Sequence, residues 1–77
     1  MPATITSLDL HGKTVAESEA IFNDWLNRSR MGKRLIEIEF ITGPGKIHSR
    51  LRALAQASDL YHYVPLNNRG CLVVEFE

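Results

Sequence analysis

Leu35-Ile36-Glu37-Ile38-Glu39-Phe40-Ile41-Thr42-Gly43-Pro44-Gly45-Lys46 is the stretch on which the fold turns. Ile36, Ile38 and Phe40 alternate with Glu37 and Glu39. This period of two belongs to a strand with one buried face and one at least partly wet face. Thr42 to Lys46 then breaks the strand in a tight loop rich in glycine and proline. A shorter helix follows, from about Ile47 or His48 to Ser58, with Leu51, Leu54 and Ala55 as its apolar stripe. A strand running straight into a helix through a glycine turn is the unit from which sheet-and-helix layers are built.

Upstream, the same unit occurs once more. Ile5 to Leu10 reads as a strand, with Leu8 and Leu10 on one side and Ser7, Asp9 and His11 on the other. Gly12 frees the chain to turn. Thr14, with Glu17 three residues later, is a capping box that opens a helix. Its interior runs through Val15, Ile21, Phe22, Trp25 and Leu26, and it should end near Met31 with Gly32 as the residue just past its end. Downstream, Leu60 to Leu66 reads as a third strand whose Pro65 confines its end to an edge. Leu60, His62, Val64 and Leu66 would share one face, and Tyr61 and Tyr63 the other. Asn67-Asn68-Arg69-Gly70 is turn chemistry, and Cys71 to Phe76 closes as a strand. The order is βαβαββ. It implies an α/β chain of the α+β two-layer sandwich kind, with a four-stranded mixed sheet and two helices on one face.

Seventy-seven residues, 44% hydrophobic and 23% charged, leave room for one domain, residues 1–77, of ordinary globular composition. Cys71 is the only cysteine, which rules out an internal disulfide and fits a reducing compartment, cytoplasmic or nuclear. No apolar run approaches the roughly 18–20 residues that span a bilayer, and Met1-Pro2-Ala3-Thr4 has neither a basic nor an apolar leader region. The expectation is therefore a soluble intracellular chain with no membrane partner. The histidines and the lone cysteine show no zinc spacing.

Lys and Arg number 9 against 9 Asp and Glu, a net charge of zero that counts against nucleic acid as a partner. The distribution is another matter. Residues 1–27 carry a net of −3, residues 28–52 a net of +5, and residues 53–77 a net of −2. The basic block comprises Arg28, Arg30, Lys33, Arg34, Lys46, Arg50 and Arg52, against Glu37 and Glu39. A solvated helix end and helix face would account for it as simply as a binding patch.

Two segments carry chemistry, both at strand-to-helix turns. In the first, Asp9 and His11 sit on one face at the carboxyl end of a strand, where a carboxylate can orient an imidazole or hold a divalent cation. An isolated Asp-x-His is more often merely the polar side of a half-buried strand. In the second, Gly43 and Gly45 let backbone approach a ligand at a helix start, with Lys46, His48 and Arg50 around it. Phosphate is the natural guest there. The spacing is neither that of a Walker A loop nor that of a dinucleotide fingerprint. If the two strands are adjacent and parallel, both turns lie at the same edge of the sheet, where ligands of such sheets bind. His62 reads as a packed or rim histidine, and Trp25 as core.

Taken in order, Leu8-Asp9-Leu10-His11-Gly12, a capped helix, an apolar strand ending in Thr42-Gly43-Pro44-Gly45, and then Leu51-Arg52 resemble the small MutS-related (Smr) domain family. Gly70-Cys71-Leu72-Val73-Val74 is similar to its closing strand. The resemblance covers essentially the whole chain. It implies a βαβαββ fold, like that of the C-terminal domain of a bacterial translation initiation factor. It also implies DNA or RNA as partner, with either endonuclease activity, nicking DNA or cleaving RNA, or binding alone. It puts Asp9 and His11 forward as catalytic and assigns Thr42, Gly43 and Gly45 to the loop that approaches nucleic acid. Lys46, His48, Arg50 and Arg52 add plausible phosphate contacts on physical grounds.

Two mechanisms fit these residues. Without metal, His11 oriented by Asp9 serves as general base on a ribose 2′-OH, while His48 or Lys46 assists the leaving side. With Mg²⁺ or Mn²⁺, Asp9 helps hold the ion that activates water, the remaining ligands coming from water and substrate. The competing expectations are a non-catalytic nucleic-acid-binding module serving a partner or a larger host protein, and a protein-interaction domain with no salt-dependent nucleic-acid binding.

Overall fold

The computed structural model describes residues 5–32 and 35–76. Lys33 and Arg34 of the basic block and the N-terminal Met1-Pro2-Ala3-Thr4 lie outside them. The elements are β1 (Ile5–Asp9), α1 (Val15–Gly32), β2 (Ile36–Ile41), α2 (Lys46–Ala57), β3 (His62–Tyr63) and β4 (Cys71–Phe76). They form an α+β fold: a four-stranded mixed sheet in the order β1-β2-β4-β3, with both helices on one face. β1 runs parallel to β2, whereas β4 is antiparallel to both β2 and β3. Parallel neighbours cannot be joined by a hairpin, and α1 is the crossover that joins β1 to β2. None of the described helices is long and apolar enough to cross a membrane.

The local signals act as their chemistry dictates. Thr14 caps α1: its Oγ1 accepts the Glu17 N–H at 3.0 Å, and the Glu17 carboxylate accepts the Thr14 N–H at 2.8 Å. The Thr14 N–H first, and the Thr14 side chain second, hold the Glu17 carboxyl below its usual pKa of 4.5. α1 includes Gly32 instead of ending before it. α2 begins one residue earlier than the apolar stripe suggests, at Lys46. Its far end is closed by Asp59, a non-glycine residue in the left-handed region at φ 58°. The N–H groups of Ser58, Asp59 and Leu60 return there to the carbonyls of Leu54, Gln56 and Ala55.

The third strand is the main departure from the sequence reading. Only His62 and Tyr63 pair with β4, and the Glu75 N–H donates to Tyr61 O at 2.9 Å just before them. Pro65 has no N–H to give a ladder, and the chain leaves the sheet ahead of it. Leu66, expected on the same face as Leu60, sits in the following turn and is 99% exposed. His62 is half-buried at this rim, its Nδ1 2.9 Å from Leu60 O.

Three phenylalanines tie the layers together. Phe22 of α1, Phe40 of β2 and Phe76 of β4 are fully buried, with ring centroids 5.0, 6.1 and 6.2 Å apart. Leu10, Leu26, Ile38, Leu51, Ala55, Leu60, Leu72 and Val74 close around them. Neither of the described helices covers the opposite sheet face. It carries Glu37 directly across from Glu75, Glu39 hydrogen-bonded to the Ser7 hydroxyl at 3.0 Å, and the neighbouring rings of Tyr61 and Tyr63.

Phe22→Ala should destabilise the domain by about 3–5 kcal/mol, a large share of what a chain this size possesses, and urea denaturation checks it. Ser18 and Ser29 behave oppositely. Both lie buried on α1 with hydroxyls that have no hydrogen-bond partner among the described residues. An unpaired buried hydroxyl costs stability, and alanine is the better helix former. Ser18→Ala and Ser29→Ala should therefore each be neutral or raise stability, by up to about 1 kcal/mol, in the same assay.

Candidate functional site

Parallel pairing brings the two strand-to-helix turns to one edge of the sheet. Asp9 stands opposite Ile41, and the Leu10 N–H donates to Ile41 O at 2.9 Å, so His11 and Thr42 leave adjacent strands side by side. The third segment at this edge is Asn68–Gly70, delivered by the start of β4. Gly70 O accepts the N–H of Thr42 and that of Gly43, each at 2.8 Å. Asn68 supports the turn: its side-chain oxygen accepts the Gly70 N–H at 3.1 Å.

Gly43 and Gly70 answer to this geometry in different ways. Gly43 has φ 69°, in the left-handed region, with open space where a Cβ would stand, so its demand is conformational. Gly70 answers a demand for space. A Cβ there would lie 3.3 Å from Gly43 Cα, inside ordinary contact distance. The loop rests on Gly70 closely enough that both its amides reach one carbonyl.

The Asp9 carboxylate meets His11 through the backbone. Its Oδ1 accepts the His11 N–H at 2.8 Å, and among the described residues no hydrogen bond joins it to the His11 ring. Asp9 thus fixes the turn that presents His11, and both residues are exposed. His48 is held differently. Its Nδ1 lies 3.1 Å from Thr42 Oγ1, and both side chains are half-buried. Burial and, secondarily, the nearby Arg52 guanidinium push the His48 pKa below its usual 6.5.

The basic residues of α2 do not form one patch. At 100° per residue, His48 and Arg52 share one flank of the helix. Lys46 and Arg50 lie on the other, toward α1, beside a shallow groove of about 640 Å³ whose lining includes Val15, Gly45 and Ala53. Arg50 is engaged there with Glu19 at 3.2 Å. Arg28 is engaged too, with Asp24 at 3.1 Å and over the Trp25 ring. Lys46 and Arg52 have no ion pair among the described residues. The helix itself offers donors: its first bond is Ser49 N–H to Gly45 O, and no side chain caps Gly45. The N–H groups of Lys46, Ile47 and His48 therefore find no partner among the described residues.

A metal cage is not assembled here. Among the described residues no three His, Cys, Asp or Glu side chains come together in a way that would hold an ion, and Asp9 Oδ1 already serves the His11 amide. The residues present build no all-protein cage for Mg²⁺ or Mn²⁺, and an ion at this edge would rest on the Asp9 carboxylate with water and substrate supplying the other ligands. Cys71 is buried, and desolvation raises its pKa, followed by the charge of Glu39. It is a packing residue and not a nucleophile.

Missing from the sequence reading was that Thr42 and His48 touch. Both stood out separately, as loop residue and phosphate contact, and their six-residue separation across a loop–helix junction follows no simple period. The depressed His48 pKa has a sign that can be measured. The unfolded chain takes up the proton at higher pH than the folded one, so stability is present above 6.5 and is lost as pH falls through that value and on through the lower folded pKa. Urea midpoints at pH 7.5 and 5 should drop less in His48→Gln than in the parent. Compared with family models, curated proteins and solved structures, the chain matches none.

Proposed function

We propose that this chain is an Smr-like nucleic-acid-binding domain that cleaves RNA without a metal, by attack of a ribose 2′-OH on the adjacent phosphorus. One observation carries the reading: the Asp9–Gly12 and Thr42–Gly45 turns end on neighbouring parallel strands, so His11 and the His48-bearing helix start meet at one sheet edge. A phosphodiester placed there faces the unpartnered N–H groups at the start of α2, with Lys46 beside them. Those donors suit the charge that builds on the phosphoryl oxygens as the reaction proceeds. Two imidazoles at one edge suit the proton traffic, one accepting the 2′-OH proton and one assisting the 5′ oxygen as it leaves. Asp9 contributes by holding the His11 turn, and Thr42, Gly43 and Gly45 by letting backbone approach the strand. Arg52 extends contacts along the flank of α2 that bears His48, and Arg50 joins only by releasing Glu19. The acidic open face of the sheet, with Glu37, Glu39 and Glu75, repels phosphate and leaves this edge as the favourable approach.

The test is incubation of the purified domain with structured RNA and with supercoiled DNA, in Mg²⁺ or in EDTA, beside the Asp9→Ala/His11→Ala double variant. RNA should be cut equally well in EDTA, leaving 2′,3′-cyclic phosphate ends, and an all-deoxy strand should survive. The double variant should lose about 10²-fold or more in rate. Cleavage of the deoxy strand, or dependence on the metal, would sink the mechanism. Salt-dependent binding with no cleavage by either protein would instead make the domain a binding module.

A further inference from the structure

The hydroxyl of Thr42 has three neighbours: Gly43 O at 2.8 Å, Gly70 O at 3.1 Å and His48 Nδ1 at 3.1 Å. A hydroxyl has one proton to give. Both carbonyls can only accept. Gly70 O already receives two backbone N–H groups at 2.8 Å, which occupy its two lone pairs, so the hydroxyl proton goes to Gly43 O. Toward His48, Thr42 then presents a lone pair, and the hydrogen between them belongs to Nδ1. The reverse arrangement, with Thr42 donating to the ring, would leave its oxygen against two carbonyl oxygens with no hydrogen between them.

We infer that Thr42 is a positioning residue that locks the His48 ring as the Nδ1–H tautomer, making His48 Nε2 the proton-accepting nitrogen of this sheet edge. The inference rests on the RNA-cleaving reading only for what that nitrogen does, and there it divides the labour between the rings. His48 Nε2 takes the 2′-OH proton while the 2′-oxygen bonds to phosphorus. The bond from phosphorus to the 5′ oxygen breaks, and that oxygen takes its proton from His11 or Lys46. The products are a 2′,3′-cyclic phosphate and a 5′-hydroxyl, with no co-reactant consumed. The loop threonine thus acts through a histidine six residues away, and the double amide contact at Gly70 O turns its hydroxyl toward Gly43.

Ring-nitrogen NMR on ¹⁵N-labelled protein at pH 8 reads the tautomer without any substrate. His48 should show a protonated Nδ1 and a bare Nε2. Thr42→Val, of the same outline but with no lone pair to offer, should shift the ring to Nε2–H or a mixture of the two forms, and Thr42→Ser should keep the Nδ1–H form. An Nε2–H ring in the parent, or a tautomer indifferent to Thr42→Val, would overturn the inference. RNA cleavage measured on the same samples separates the two readings. Thr42→Val should cut at least tenfold more slowly if His48 is the base, and an unchanged rate would overturn that assignment. A Thr42-dependent tautomer in a protein that cuts no RNA would support the lock and overturn the cleavage reading.

Discussion

The pairing on which the rest depends is the parallel contact between β1 and β2. Parallel neighbours force a crossover, and α1 supplies it on the helix-covered face of the sheet. The same pairing makes both strands end at one edge, so two turns some 30 residues apart in sequence become neighbours in space. Antiparallel pairing of these strands would have sent the Asp9–His11 turn and the Thr42–Gly45 loop to opposite ends. The Phe22, Phe40 and Phe76 cluster fastens the arrangement, one ring coming from the crossover helix and one from each of the two central strands.

β4 completes the edge by running the other way. Its first residues arrive where β2 departs, and Gly70 lies against the Thr42–Gly43 backbone closely enough for one carbonyl to take two amides. The loop is therefore braced by backbone from another strand. Such bracing suits a segment that must keep a fixed shape while one side stays open to solvent.

Much of this was legible in the sequence because it rests on local chemistry. Alternation in Ile36–Ile41 marks a strand, Thr14 and Glu17 mark a helix start, and Gly43 marks a turn, each within a few residues. β3 resisted such reading because β-prone residues from Leu60 to Leu66 report propensity, whereas pairing requires N–H groups that Pro65 lacks and a neighbour that only β4 supplies. The site divided in the same way. Its residue types were readable from motif order, and their meeting at one edge followed only on the condition, met by the structure, that β1 and β2 pair in parallel. The partner of each polar atom was not readable. Asp9 binds the His11 amide, Arg50 turns to Glu19, and Thr42 meets His48, and each of those bonds depends on distances that no linear spacing encodes.

The uncovered sheet face has a consequence for how copies of this chain meet one another. Tyr61, Tyr63 and Ile41 give it exposed apolar surface of the kind on which a second sheet could stack. Glu37 and Glu75 stand directly opposite each other in the middle of that face, with Glu39 close by. Stacking would strip water from all three carboxylates, none of which has an ion-pair partner among the described residues, at a cost of several kcal/mol for each ion. The like-charged pair weakens the isolated sheet slightly, and in exchange it keeps sheet from closing on sheet. Protection against self-association thus resides in the two central strands, on a face rather than along an exposed edge.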